Sequence, residues 1–258
     1  MIVSGKVPAR YVVAAAVAVL AALLYFVAQP WSDLLVSLTD VMFVLVSGAC
    51  SLFAFMVVRK WGIRGAFGEA HLGLFLFVLL QFFGELTWTI YEVVFHVEVP
   101  YPSLADLFYL AGYVAGIVGL MRFLSFFARK LPMRRIVLSI IFGLVIVGST
   151  FIFLLSTLIT EQADIYTKAF DVAYPGFDAI LLSLVVAVFL TLKGGKLAPS
   201  WLWIGLGVLL TAIVDIIFSL GTLQGWYYSG HPIELLWVWG YVSMALGFYN
   251  QRTSLTMS

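Results

Sequence analysis

Eight separate stretches of this chain are each apolar over about the 20 residues that a helix needs to cross the hydrocarbon of a bilayer. They fall at about 11–28, 38–58, 70–96, 104–127, 136–159, 175–192, 201–222 and 232–249. Backbone polar groups in lipid must be satisfied within the segment or a closed sheet, and runs of this length take the helical solution. Short breaks rich in charge, proline or glycine separate them. The chain therefore reads as all-α, a polytopic transmembrane helix bundle of eight spans, with residues 1–258 forming a single integral membrane domain. Charged residues make up only 10% of it, against roughly 25% in a soluble domain. The lipid bilayer is its first partner, and a net charge of +1 gives no footing for nucleic acid. One cysteine, Cys50, provides neither an internal disulfide nor a metal framework.

The basic residues orient the bundle. With the N-terminus inside, the cytoplasmic segments hold Lys6 and Arg10; Arg59, Lys60 and Arg64; Arg122, Arg129, Lys130, Arg134 and Arg135; Lys193 and Lys196; and Arg252. That is 13 of the 14, with Lys168 left in an outer loop, and the positive-inside rule then places both termini in the cytoplasm. Residues 1–28 also have the outline of a signal peptide. The apolar run is longer than a usual h-region, and Phe26-Val27-Ala28 lacks a small-x-small site; cleavage would leave seven helices in the same topology.

The acids have the opposite bias. Of 13, only Glu69 falls in a cytoplasmic loop. Several of the others have an ordinary reading as helix starts. Ser37-Leu38-Thr39-Asp40 and Ser103-Leu104-Ala105-Asp106 read as capping boxes, His231-Pro232-Ile233-Glu234 puts Pro at N1 and Glu at N3, and Tyr174-Pro175-Gly176-Phe177-Asp178 reads as a Pro-led start. Glu85, Glu92 and Asp215 resist that reading, because they lie toward the outer C-terminal ends of their helices, where negative charge is disfavoured. Glu85 and Glu92, seven residues apart, should share one face, and His96 continues the stripe. An ionised carboxylate inside a span costs about 2.5–3.5 kcal/mol on insertion scales, so these groups need protons, cations or hydrogen-bond donors such as Trp88, Tyr109, Tyr113 and Trp237. The expected centre is an outward-facing acidic pocket: Glu85, Glu92 and Asp215 carry the charge, with Asp106, Asp178, Glu234, Trp88 and Tyr109 around them.

His96 and His231, near the outer surface, are the candidate metal ligands, although neither belongs to an H-E-x-x-H pattern. His71 reads as a solvated residue at the inner boundary. The spacing Gly112, Gly116 suggests close helix packing. No P-loop is present, and no cofactor is evident. The last span contains no lysine, which excludes a retinal Schiff base of the microbial-rhodopsin kind on that helix.

The stretch Pro102-Ser103-Leu104-Ala105-Asp106-Leu107-Phe108-Tyr109-Leu110-Ala111-Gly112-Tyr113 resembles the P-S-x-A-D-x-x-Y-L-x-x-Y segment of the polytopic membrane domains that precede GGDEF and EAL domains in bacterial diguanylate cyclases and phosphodiesterases. Gly84-Glu85-Leu86-Thr87-Trp88, Tyr174-Pro175 with Asp178, Asp215, and Trp237 with Gly240-Tyr241 extend the resemblance over roughly residues 70–249. It implies a sensory input domain. No GGDEF or EAL sequence occurs in the chain, so the resemblance implies the membrane module without the enzymatic domain. A separate cytoplasmic signalling protein would then be its partner, with the basic inner segment Arg129-Lys130-Leu131-Pro132-Met133-Arg134-Arg135 as the docking candidate beside its ordinary role in topology.

Three functions compete. The first is a non-enzymatic sensory or ligand-binding module whose outer pocket receives a cation, a proton or a small amine. The second is a cation- or proton-coupled transporter or channel, against which stand the acids' outer position and the lack of an internal repeat. The third is a metal-dependent intramembrane hydrolase built on the carboxylates with His96 or His231.

Overall fold

The computed structural model describes residues 8–127, 133–160 and 165–254. Lys6, Glu161, Asp164 and the part of the basic segment from residue 129 to 132 lie outside the described residues. Among the described residues every regular element is helical: α1 (Ala9–Ala28), α2 (Ser32–Trp61), α3 (Gly65–Thr89), α4 (Leu104–Phe127), α5 (Met133–Thr160), α6 (Ile165–Leu192), α7 (Ala198–Gln224) and α8 (Leu235–Ser254). A single π turn, Ile90–Val94, extends α3, and a 3₁₀ turn, Pro232–Glu234, leads into α8.

Six of these helices, α1 to α4, α6 and α7, are long and apolar enough to cross a membrane. The chain is thus a multi-pass helical membrane protein. Helix α8 falls short because Trp, Tyr, Gly, Ser, Asn and Gln interrupt it. Its surroundings explain that composition: no residue from Leu235 to Gln251 is exposed. A helix enclosed by protein need not be apolar, whereas α1 and α5, which present Leu20, Leu23, Phe26, Ile140, Leu144 and Val145 outward, must be.

Helices α2, α3, α4, α6, α7 and α8 close into a ring, each packed on the next and α8 back on α2. Helix α1 lies outside it against α8 and α2, and α5 lies outside it against α6. Close approaches join α7 to α8, where a Cβ on Gly207 would lie 2.6 Å from the Gly240 carbonyl oxygen, and α3 to α4. A Cβ on Gly73 would lie 2.6 Å from the Gly119 Cα and 2.7 Å from the Ala115 carbonyl oxygen, so the two backbones touch and dispersion takes the place of a hydrophobic driving force. Gly112 and Gly116 also meet α3 at Phe77, as their spacing suggests.

Two expected helix starts are overturned. Helix α2 begins at Ser32 rather than near residue 38, and the Ser37 hydroxyl donates back to the Asp33 carbonyl at 2.9 Å. Asp40 is therefore two turns into the helix and only 4% exposed. Pro175 does not start α6 but sits inside it. Its missing N–H leaves one carbonyl of the preceding turn free, which a helix packed in a bundle tolerates. Lys168, expected in an outer loop, lies on the first turns of α6.

Candidate carboxylate centre

The helix ends that carry the acids converge, and their side chains form two nests in the ring. The first is built from α1, α2, the π turn and the entry to α8. Glu234, 3% exposed, accepts from the Tyr25 hydroxyl at 2.8 Å, the Tyr227 hydroxyl at 2.7 Å and the Gly230 N–H at 2.8 Å. Glu92 accepts from the Ser229 hydroxyl at 2.6 Å, and its other oxygen is buried without a hydrogen-bond partner, as is Asp40 Oδ2. These two carboxyl groups are near enough for the charge of each to act on the other.

The second nest joins α4, α6, α7 and α8. The Tyr113 hydroxyl donates to Asp178 and lies 3.1 Å from Asp215 Oδ2, while Trp237 Nε1 donates to Asp215 Oδ1 at 2.6 Å. Asp178 and Asp215 thus share one phenol hydroxyl, and the second oxygen of Asp178 is buried without a hydrogen-bond partner among the described residues. Between the nests, Glu85 accepts from the Tyr241 hydroxyl at 2.7 Å, with Tyr109 against its other side. A Cβ on Gly84 would lie 2.2 Å from the Tyr109 ring, so the absent side chain is what lets the phenol reach Glu85. Asp106 does cap α4 as its spacing predicts, accepting from the Ser103 N–H at 2.6 Å, but its second oxygen accepts from the Tyr174 hydroxyl at 2.5 Å. Cap and nest share one carboxylate.

Two carboxylates this close cannot both be bare. A proton or a cation must lie between them, as in other sites where two acids share one space. The centre contains two such pairs, Asp40 with Glu92 and Asp178 with Asp215, each bridging different helices. Among the described residues the ion pair present is Arg122 with Glu69, at the other end of the bundle.

The structure separates residues that spacing had grouped. The π turn adds a residue to the last turn of the α3 rod, and Glu92 faces Asp40 and Ser229 while Glu85 faces Tyr241 and Tyr109. His96 does not continue their stripe: it lies past the turn, exposed, with a left-handed φ of 52°. His231 Nδ1 accepts the Ile233 N–H at 3.2 Å as the cap of the 3₁₀ turn. Among the described residues, no group of three or more His, Cys, Asp or Glu side chains is placed to hold a metal ion. Trp88 is half-buried.

Spacing alone dismissed Asp40 as a cap, and nothing local marks Tyr25, Ser229 or Tyr241 as ligands of Glu234, Glu92 and Glu85. A Tyr or Ser facing an unbalanced acid across 150 residues leaves no periodic trace. His71 is likewise misplaced by its position near a helix end: it is 2% exposed, not solvated. No family model, curated protein or solved structure matches this chain.

Proposed function

We propose that the chain is a non-enzymatic sensory or ligand-binding module of the cell membrane, crossing it eight times with both termini cytoplasmic, and that its carboxylate centre opens outward to a cation, a proton or a small amine. On this reading it is a counterpart of the membrane domains it resembles. The observation that carries the proposal is the pair of carboxyl contacts without any basic partner among the described residues. Such contacts exist only while something positive occupies them, so occupancy and helix packing are linked. Glu85, Glu92 and Asp215 keep partial exposure, whereas Asp40, Asp106, Asp178 and Glu234 are buried; the former are the groups that a ligand meets first. Leu74, Phe77, Val78, Ile204, Val208 and Met244 make the core between this centre and the basic end mainly apolar, with Ser51 and Ser243 among them, which favours binding over conduction.

The test is a titration of the purified full chain, read by tryptophan emission and apparent Tm. If protons fill the contacts, stability falls as pH rises, since each lost proton leaves like charges in contact. If a cation fills them, adding Na⁺, K⁺, Ca²⁺ or methylammonium raises the Tm and acid competes with it. A response flat in both pH and cations overturns the reading.

Orientation has its own experiment. Cys50 is 0% exposed, so the native thiol contributes little background to labelling. In intact cells, a membrane-impermeant maleimide is expected to label Glu98→Cys, in the loop before α4, and to leave Lys60→Cys unlabelled. The reverse pattern would turn the carboxylate centre toward the cytoplasm.

A further inference from the structure

At the basic end of the ring a second polar centre surrounds His71, and among the described residues it contains no carboxylate. Nδ1 of the imidazole lies 2.6 Å from the Phe67 carbonyl oxygen, and Nε2 lies 2.9 Å from Gln251 Oε1. Both neighbours are acceptors. The ring then donates from both nitrogens, which only the imidazolium does, unless the Gln251 amide is turned end for end. Trp61 and Phe67 lie nearly parallel to the imidazole, with centroids 6.4 and 6.2 Å away, and Trp201 packs on it at 6.1 Å.

The groups around this ring carry donors that meet nothing. Trp61 Nε1, Trp201 Nε1 and Gln251 Nε2 are buried N–H groups with no acceptor. Beside them in the chain, Ser200 Oγ and Asn250 Nδ2 are also buried donors without a partner, while Asn250 Oδ1 is a buried acceptor without one. Trp201 and Gln251 are 0% exposed, Ser200 1% and Asn250 3%. Buried donors are almost always satisfied, so a group of them around one imidazole marks a missing acceptor. The side chains facing His71 from α2, α3, α7 and α8 are Trp61, Phe67, Trp201 and Gln251, none of them titratable. The charged groups at the neighbouring helix ends are Glu69, already engaged by Arg122, and the cations Arg59, Lys60, Arg64 and Arg252.

We propose that this centre binds a small inorganic anion of the halide class, held by the N–H donors of Trp61, Trp201 and Gln251 and balanced by an imidazolium at His71. Unpaired donors, the absence of any facing carboxylate and a basic rim all select an anion over a cation. Near-complete enclosure excludes a headgroup or a nucleotide. Charging His71 and taking up the anion form one event, so the anion binds more tightly as pH falls.

The experiment measures the apparent Tm of the purified full chain in sodium chloride, sodium bromide and sodium gluconate at equal sodium concentration, at pH 6 and pH 8. Chloride and bromide are expected to raise the Tm by about 4 °C or more over gluconate, and by more at pH 6. Gln251→Glu sets a carboxylate against His71 in place of the anion; it should fold and lose the halide response. His71→Gln removes the charge and should lose it as well, which keeps the test open if the first variant does not fold. Equal Tm in all three salts, as ordered water alone would give, overturns the proposal. So does a halide response retained in both variants, or a stabilisation that follows anionic lipid and ignores salt.

Discussion

Asp178→Leu should destabilise the bundle by about 3–5 kcal/mol, the range for removing one member of a buried charged or hydrogen-bonded pair. The leucine leaves the Tyr113 hydroxyl and Asp215 facing an apolar surface where a partner had been. Asp178→Asn should cost about 1 kcal/mol or less, because the amide can donate to Asp215 where a shared proton did before. The two variants are compared by thermal unfolding in detergent, with retention of a monodisperse elution peak as the control. Their pH profiles carry the sharper information. The asparagine variant should lose that part of the pH or cation response that belongs to this contact, and a double variant with Asp40→Asn should lose most of it. If Asp178→Leu proves as stable as Asp178→Asn, the carboxyl contact contributes nothing to the fold, and the link between occupancy and packing fails with it.

Gly73→Val should be among the most damaging single changes in the apolar part of the molecule. Its Cβ would meet backbone atoms of α4, the Gly119 Cα at 2.6 Å and the Ala115 oxygen at 2.7 Å. Neither can rotate aside, so the two helices must part along their length. Overpacking that side chains can absorb costs about 1–3 kcal/mol, and a rigid contact of this kind should exceed it. Gly119→Val should behave alike, since its Cβ would lie 2.8 Å from the Gly73 Cα. Gly148→Ala on α5, where nothing lies within 4 Å, is the control and should change stability by less than about 1 kcal/mol. Parting α3 from α4 also draws Tyr109 away from Glu85, so the titration of the carboxylate centre should shift in the same variant.

Long apolar runs and the segregation of charge were readable from residues alone, because both answer to the bilayer and not to any particular neighbour. Helical character, the clustering of acids toward one end of the bundle and the Ser103–Asp106 cap follow from such local or one-dimensional signals. The failures share a cause. Ser37-Leu38-Thr39-Asp40 satisfies a capping pattern, yet the preceding Ser32 and Asp33 start the helix earlier and turn Asp40 into an interior group. Pro175 is a boundary signal for an isolated helix, and the surrounding bundle overrides it. His71 lies where hydropathy places an interface, but Trp61, Trp201 and Gln251 close over it from helices distant in the chain. The π turn shifts Glu92 away from Glu85 and cannot be inferred from a 3.6-residue period. Each miss concerns a polar residue whose surroundings are set by tertiary packing.

The enclosure of α8 bears on how the protein is made. Leaving a translocon, this segment would gain little from lipid, since its tryptophans, tyrosines and amides offset its leucines and valines. Helices α1, α2 and α7, which wall it in, all precede it in synthesis. On the eight-span reading, its integration depends on a groove that the nascent chain has already assembled.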